Sequence, residues 1–330
     1  MDLLSEILSS VHIENTFFGC LKLTAPWGFT IPLSSTAHFL CVTAGRCWLS
    51  RNGEPPRRLN QGDFVMFTRG GMSNFTSEEY GKPQPVVELI QKHYRPDYRI
   101  DQRDIRPFVI HEGGGGEATD IVGGAIDLPG GLGDVLVNAL PESIHLSSHD
   151  PYARQWLEPL MNLIVGEVDM AMASSGAQGH QAISKRLADL LFLRIIQTHW
   201  LQRPEDTSGW LRGLADPKIC KVLQAIHSAP QKAWTLESLA DKSGMSRSAL
   251  AGRFLELIGE PPIQYLTRWR MHLAAIRLAG GERRTALIAE QLGYQSDIAF
   301  SKAFKRVRGI SPGAYRRSLM RAQGLPRESA

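Results

Sequence analysis

Few side chains in this 330-residue chain are spaced for catalysis or metal binding. The four cysteines, Cys20, Cys41, Cys47 and Cys220, form no C-x-x-C pair and have no histidine at a zinc-ligand spacing. We therefore expect free thiols in a reducing compartment. A run of four glycines, 113–116, lacks the Lys-Ser/Thr pair that follows a phosphate-binding loop and is interpreted as a surface loop. These patterns predict neither a cofactor nor a metal.

The side chains best suited to bind a ligand are basic and lie near the C-terminus. Lys302, Lys305, Arg306 and Arg308 fall within seven positions. At the end of a DNA-recognition helix such a run would lie against phosphates, whereas elsewhere it would be a solvated face. The elements that carry these residues therefore decide between the two interpretations.

A pattern of helix, glycine, capping serine and second helix occurs twice between Trp234 and Arg317. In the first copy, Gly244 can adopt the positive φ that ends a helix, and Ser246 can cap the next one. Gly293 and Ser296 take the same places in the second copy. Apolar residues follow each serine at helical spacing: Leu250, Phe254 and Leu257, then Phe300 and Phe304. The layout predicts two helix-turn-helix units.

The charges divide unevenly along the chain. Residues 217–330 contain 19 Lys and Arg against 8 Asp and Glu, a net charge of +11, within a total of +4. The rest of the chain therefore carries −7. A basic C-terminal part and an acidic N-terminal part indicate nucleic-acid binding confined to the C-terminal domain.

Residues 217–317 resemble the DNA-binding domain of the AraC/XylS family of bacterial transcription regulators. The resemblance is most specific in I-A-E-Q-L-G-Y-Q-S-D-I-A-F-S-K-A-F-K-R-V-R-G-I-S-P-G-A-Y-R, from Ile288 to Arg316. It implies two recognition helices on double-stranded DNA. Matched by position, the implied DNA-binding residues are Arg247, Ser248, Ala249, Gly252 and Arg253 in the first helix, and Ser296, Asp297, Ile298, Ser301, Lys302 and Lys305 in the second.

The two helices differ in the side chains they offer to DNA. The first presents small residues where long polar ones would make bidentate contacts, so it is expected to read thymine methyls, with Arg247 and Arg253 left for phosphate or packing. The second is expected to carry more polar specificity. The aromatic residues near it are expected to be core residues rather than base stackers: Tyr294, Phe300, Phe304 and Tyr315.

From residue 17 to about residue 110, short apolar runs alternate with turns, a pattern typical of an antiparallel sandwich or barrel. A-P-W-G (25–28), H-F-L-C-V-T-A-G-R-C-W-L (38–49) and L-N-Q-G-D-F-V-M-F-T-R-G (59–70) resemble the cupin-type sensor domain of the same regulators. Cupin enzymes hold a metal with several histidines and a glutamate. Here His38 is followed by Phe39 and Leu40, and the second motif has no histidine, so we expect no metal.

A barrel without a metal is either filled or open to a small ligand. The candidate effector-pocket residues are His38, Trp48, Phe67 and Arg69, although Trp48 and Phe67 also fit a plain core. An inward Arg69 would favour an anionic ligand.

Helical periodicity returns between about residues 151 and 202. The second helix of this segment is apolar on more than one face, including Leu187, Leu190, Leu191 and Ile195. A surface this wide needs cover on two sides, which predicts a homodimer through this helix, with burial inside one subunit as the alternative.

These observations predict an α+β multidomain protein: an N-terminal, cupin-like antiparallel β-barrel for ligand sensing (1–150), a helical dimerisation and linker segment (151–208), and an all-α DNA-binding domain with two helix-turn-helix units (209–330). We expect a cytoplasmic, ligand-responsive transcription regulator and not an enzyme. Its partners would be DNA, an unidentified small effector and, for an activator, RNA polymerase. The alternatives are a cupin-type enzyme with a DNA-tethering tail and a ligand-independent architectural DNA binder.

Overall fold

The computed structural model describes residues 13, 15–32, 37–51, 53–69, 71–93, 107–127, 140–173, 178–202, 209–282 and 284–322. The described chain falls into two compact units, which we call the sheet unit (up to residue 202) and the helical unit (from residue 209). The predicted linker at residues 203–208 lies outside the described residues.

Two sheets form the sheet unit. Their strands are β1 (Asn15–Thr24), β2 (Gly28–Ile31), β3 (Ala37–Ala44), β4 (Arg46–Arg51), β5 (Arg57–Asn60), β6 (Phe64–Phe67), β7 (Ser73–Thr76), β8 (Gln84–Pro85), β9 (Phe108–Gly113), β10 (Ala118–Asp127) and β11 (Ser143–Leu146). One sheet has the order β11-β6-β3-β10-β1-β9 and the other β5-β4-β7-β2-β8. The pairings are antiparallel except at β1–β9 and β2–β8, which are parallel. Within the described strands no pairing joins the sheets, so the predicted cupin-like fold is present as two facing sheets.

The core between the sheets follows the period-2 alternation of each strand. Leu40 and Val42 of β3 and Leu49 of β4 belong to one apolar cluster with Phe67 and Phe75. Helix α1 (Val86–His93) adds Leu89 and Ile90 to this cluster.

Two long helices complete the sheet unit. Helices α2 (Pro151–Ala173) and α3 (His180–Gln202) pack against each other and against β1. Leu157, Leu160 and Ile164 of α2 are buried at helical spacing, which is the reason that the segment folds as a helix against the sheet.

The helical unit contains α4 (Gly209–Ala215), α5 (Pro217–Ser228), α6 (Leu236–Ser243), α7 (Arg247–Ile258), α8 (Pro262–Ala279), α9 (Thr285–Gln291), α10 (Asp297–Arg308) and α11 (Pro312–Ala322). Gly244 ends α6 at a φ of 64°, and the Ser246 hydroxyl accepts a hydrogen bond from the Ala249 N–H at the start of α7. Gly293 has a φ of 77°, and Ser296 caps α10 in the same way. Both predicted helix-turn-helix units are confirmed.

Candidate functional site

The first recognition helix, α7, separates its buried side from its exposed side. Leu250 and Phe254 are completely buried, whereas Ser248, Ala249 and Gly252 are exposed. A Cβ added at Gly252 would meet nothing within 4 Å, so the backbone of α7 is open to close approach there. The predicted small-residue surface therefore faces outward.

Two arginines were predicted to bind phosphate or to pack, and the structure separates their roles. Arg247 is exposed at the first position of α7. Arg253 instead donates from Nε to Asp216 at 3.0 Å and from Nη1 to Glu256 at 3.0 Å. Asp216 also caps α5, accepting from the Lys218 and Ile219 N–H groups. Although burial alone raises the pKa of Asp216, hydrogen bonds from Ile219, Arg253 and Lys218 lower it overall.

The second recognition helix, α10, exposes a larger and more charged surface. Phe300 and Phe304 are completely buried, and Tyr294 and Tyr315 pack against the same core, which confirms that these aromatic residues are core residues. The exposed side carries Asp297, Ile298, Lys302 and Lys305. Ile298 is 70% exposed and adds apolar surface to this side. Ser301 is half-buried, and Ser296 is exposed but holds the helix cap.

One exposed residue of α7 was missed by the sequence reasoning. Leu255 is 50% exposed and follows Gly252 by three positions, so it lies near the small-residue surface. Its spacing from Ser248 and Gly252 could have indicated that it lies on the same exposed side of the helix. Apolar periodicity had assigned leucines of this helix to the core.

A clamp on the connecting helix α8 joins the two helix-turn-helix units. Arg270 donates to the carbonyls of Pro230 (2.6 Å) and Lys232 (2.9 Å), in the loop between α5 and α6. Its guanidinium also lies 5.5 Å from the ring centroid of Tyr294, beside the second turn. A Cβ added at Gly293 would lie 2.0 Å from the Gln231 carbonyl oxygen of the same loop. The turn of one unit is therefore packed directly on the loop of the other.

Helices α5 and α8 contribute a buried histidine cluster. The His227 Nε2 atom and the Tyr265 hydroxyl are 2.8 Å apart. The ring centroid of Trp269 lies 4.1 Å from that of His227 and 5.3 Å from that of His272. Burial lowers the pKa of both histidines to about 3. Both rings are consequently neutral at physiological pH.

The four candidate effector-pocket residues do not converge. His38 and Phe67 are buried in neighbouring strands with ring centroids 5.0 Å apart. Trp48 lies between the core residues Cys47 and Leu49 on β4, so it occupies the opposite, outer face. Placing Trp48 in the pocket was therefore wrong.

The predicted inward arginine was also wrongly placed. Arg69 is exposed and donates to the Leu140 carbonyl at 3.0 Å. Arg51, on the inward face of β4, lies 5.0 Å from the centroid of Phe67 and donates to the Arg69 carbonyl. Arg69 lies beyond the end of β6 at Phe67, so the alternation of a strand no longer directs its side chain inward.

A cavity of about 370 Å³ lies elsewhere, under the loop that joins β7 to β8. Its walls include Leu23, Trp27, Phe29 and Leu89. The rings of Trp27 and Phe29 stack, with an interplanar angle of 18°. Pockets for small ligands span roughly 300–1,000 Å³, a range that includes this volume.

The sequence of the whole chain decides its family. Residues 2–201 match a cupin family model, and residues 239–318 match a helix-turn-helix domain model. An AraC-like transcription regulator of Streptomyces lividans is 31% identical over 320 residues, covering 96% of this chain and 98% of that protein. The chain belongs to the AraC family of transcription regulators.

Other similar proteins extend over nearly the same length. The HTH-type transcriptional regulator AlkR of Acinetobacter baylyi is 30% identical over 321 residues, covering 96% of this chain and 99% of AlkR. The crystal structure of unsaturated fatty acid bound ToxT from Vibrio cholerae covers 96% of this chain and 99% of its own, at 13% identity and a TM-score of 0.37. The relatives of this AraC-family chain are named as transcription regulators, and the protein is accordingly a DNA-binding regulator.

The predicted dimer helix of the AraC-family chain is α3. Leu191 and Ile195 are completely buried inside the sheet unit, so they are unavailable to a second subunit. Leu190 is 45% exposed and Leu187 half-buried. Of the four residues predicted for the dimer, only these two reach the surface.

The cysteines of this AraC-family chain are free thiols. Burial raises the pKa of Cys20, Cys41 and Cys47 to about 12, so these thiols are unreactive at neutral pH. Within the described ranges, no three His, Cys, Asp or Glu side chains lie close enough together to hold a metal ion. Among the helices that the structure describes, none is long and apolar enough to cross a membrane.

Proposed function

We propose that this AraC-family regulator reads its operator with the exposed faces of α7 and α10, and that a small molecule bound to the sheet unit controls the outcome. The observation that supports the first part is the matched pair of capped helices. α7 buries Phe254, and α10 buries Phe300 and Phe304. The residues expected at DNA remain outward, chiefly Ser248, Ala249 and Gly252 on α7 and Lys302 and Lys305 on α10.

The two helices would divide the work of recognition. The small side chains on the exposed side of α7 would let the helix approach the DNA groove closely and contact thymine methyls. Leu255 adds apolar surface there. Ile298 would take the apolar role on α10, while Lys302 and Lys305 neutralise phosphates. Arg253 would position α7 through Asp216 rather than contact DNA.

The variant Lys302→Ala is expected to weaken operator binding at low salt. If Lys302 contacts phosphate only, the slope of log affinity against log salt should become shallower by about one unit, because one fewer counterion is released. Fluorescence anisotropy on an operator duplex between 50 and 300 mM KCl measures both quantities.

Lys22→Ala provides the matched control, since Lys22 is exposed on β1 in the sheet unit. It should leave affinity and slope unchanged. An unchanged slope in Lys302→Ala, together with altered preference among operator variants, would instead assign Lys302 to base contacts. Unchanged affinity and preference would remove α10 from the proposed interface at this position.

We further propose that the regulator is a homodimer through α3. Ile183, Leu187, Leu190 and Leu201 recur on one side of the helix at spacings compatible with a heptad, and three of them are between 45% and 54% exposed. Helix α2 adds Leu163, which is 60% exposed. Apolar side chains exposed in this number on neighbouring helices are typical of an interaction surface.

Replacing Leu190 by glutamate is expected to convert the dimer to a monomer, since it would bury a charge at the interface. Light scattering at micromolar concentration measures the mass. Met72→Glu is the control, because Met72 is 56% exposed but lies outside α3. A wild-type protein of monomeric mass would contradict the homodimer.

Effector control is tested by genome-wide footprinting of the purified protein with and without a metabolite extract. Sites whose occupancy changes with the extract support a ligand-gated regulator, and unchanged sites contradict effector control while leaving DNA binding intact. A regulator of this kind would act in the cytoplasm, and RNA polymerase would be its partner if it activates transcription.

A further inference from the structure

Arg270 contacts both helix-turn-helix units from the middle of the connecting helix α8. Its Nε and Nη2 atoms donate to the carbonyl oxygens of Pro230 and Lys232, in the loop that leads into α6 of the first unit. Its guanidinium lies 5.5 Å from the ring centroid of Tyr294, in the turn that leads into α10 of the second unit. One side chain therefore ties the entry loop of the first unit to the turn of the second.

Both ends of this clamp are fixed to the elements that carry the recognition helices. In the loop, the Trp234 indole N–H donates to the Ala229 carbonyl at 2.9 Å, and the Lys232 ammonium lies 4.1 Å from the Trp234 ring centroid. The following helix, α6, packs against α7. In the turn, the ring of Tyr294 packs edge-on against that of the buried Phe300 of α10, with centroids 5.7 Å apart. A displacement at either end is therefore passed to a recognition helix, because close-packed interiors transmit strain.

The clamp depends on the shape of the arginine side chain. A guanidinium is a planar fork whose N–H groups point in fixed directions, so it can bond two backbone carbonyls at once. A lysine would keep the charge but present one ammonium on a flexible stem. Arg277, about two turns further along α8, makes a different contact: it donates to Gln291 of α9 at 2.9 Å, so it joins α8 to the second unit alone.

We propose that Arg270 is a positioning residue that sets the operator spacing accepted by the regulator, because it fixes the distance and angle between α7 and α10. The proposal rests on the reading of DNA by both helices proposed above. Successive major grooves are about 34 Å apart, or about ten base pairs, so one inserted base pair moves one half-site by about 3.4 Å and rotates it. Helices held at a fixed separation lose contacts on such a site, whereas loosely joined helices can follow it.

The test compares operator duplexes that carry one subunit's two half-sites at the footprinted spacing, or with one base pair inserted or removed between them. Fluorescence anisotropy measures the affinity of the full-length wild type, of Arg270→Lys and of the matched control Arg277→Lys. We expect a changed spacing to weaken wild-type binding about tenfold or more, the scale of one lost base contact. The loss should shrink to about threefold or less in Arg270→Lys and stay as in wild type in Arg277→Lys. Each loss is a ratio within one protein, so differences in folded fraction cancel.

A distance measurement without DNA tests the clamp itself. Spin labels are attached to Glu237→Cys on α6 and Glu290→Cys on α9, both exposed positions, in a protein that also carries Cys220→Ser. The three other cysteines are buried and stay unlabelled. Pulsed electron spin resonance should show a narrow distance distribution with Arg270 or with Arg277→Lys. The distribution should broaden in Arg270→Lys by on the order of 3 Å, one base-pair step.

The outcomes separate this proposal from the reading of DNA by both helices. Equal distance distributions with and without Arg270→Lys overturn the proposal, and so do equal losses on changed spacing. If scrambling either half-site still weakens wild-type binding in that case, both helices read DNA and Arg270 does not position them. If scrambling one half-site leaves wild-type affinity unchanged, reading by both helices is wrong, and the spacing proposal fails with it whatever the distance distribution shows.

Discussion

Replacing Gly293 by alanine is expected to destabilise the helical unit by about 3 kcal/mol, a large effect for one methyl group. Two costs combine. The residue has a φ of 77°, which an L side chain tolerates poorly, and its Cβ would lie 2.0 Å from the Gln231 carbonyl oxygen. Because that oxygen belongs to backbone, a rotamer change cannot relieve the contact. Urea-induced unfolding measured by circular dichroism gives the free energy of unfolding.

Gly244→Ala is the matched control for this substitution. Gly244 occupies the equivalent turn of the first unit with a φ of 64°, but an added Cβ there meets nothing within 4 Å. It should cost only the left-handed backbone strain, about 1–2 kcal/mol. Equal losses in the two variants would contradict the packing of Gly293 on the loop between α5 and α6. Operator affinity should fall further in Gly293→Ala, because this packing helps to orient the two recognition helices.

The helical unit is expected to lose stability as the pH falls below about 6.5. His227 and His272 have folded pKa values of about 3, which burial lowers from 6.5. Between these two values the unfolded chain binds protons that the folded unit excludes, so acid favours unfolding. Each histidine should contribute a loss of up to about 1.4 kcal/mol per pH unit below 6.5, while above 6.5 the stability should not depend on them.

Urea unfolding of the wild type and of His272→Gln at pH 7.5, 6.5, 5.5 and 4.5 tests this expectation. The loss of stability between pH 6.5 and 4.5 should be smaller in the variant than in the wild type, by up to about 1.4 kcal/mol per pH unit, because the contribution of His272 is removed. His111→Gln is the control, because His111 is exposed in the sheet unit. The same slope in wild type and His272→Gln would show that His272 is not excluded from protonation in the folded unit.

Strand segments show the limit of sequence reasoning most clearly. Apolar runs located the strands of the facing sheets, but the side that each residue faces depends on register, and one position reverses it. Trp48 was therefore assigned inward and lies outward. Arg69 lies beyond the end of β6, where the alternation no longer applies, and the inward arginine is Arg51. No local sequence pattern predicts the cavity under the loop that joins β7 to β8. Residues from β1, β2, that loop, α1 and β9 form it together.

The amino-acid sequence by itself determined the helix-turn-helix units, since their signals act within a few residues. Gly244 and Gly293 supply the positive φ, Ser246 and Ser296 cap the next helix, and buried phenylalanines follow at helical spacing. Only the tertiary structure decided which polar side chains are held by contacts within the protein and which stay exposed for contact with DNA. Asp216 lies 37 positions from Arg253 yet binds its guanidinium, and Arg270 reaches 40 positions back to Pro230. Such pairings depend on how helices pack, because packing brings together residues whose separation along the chain carries no local pattern.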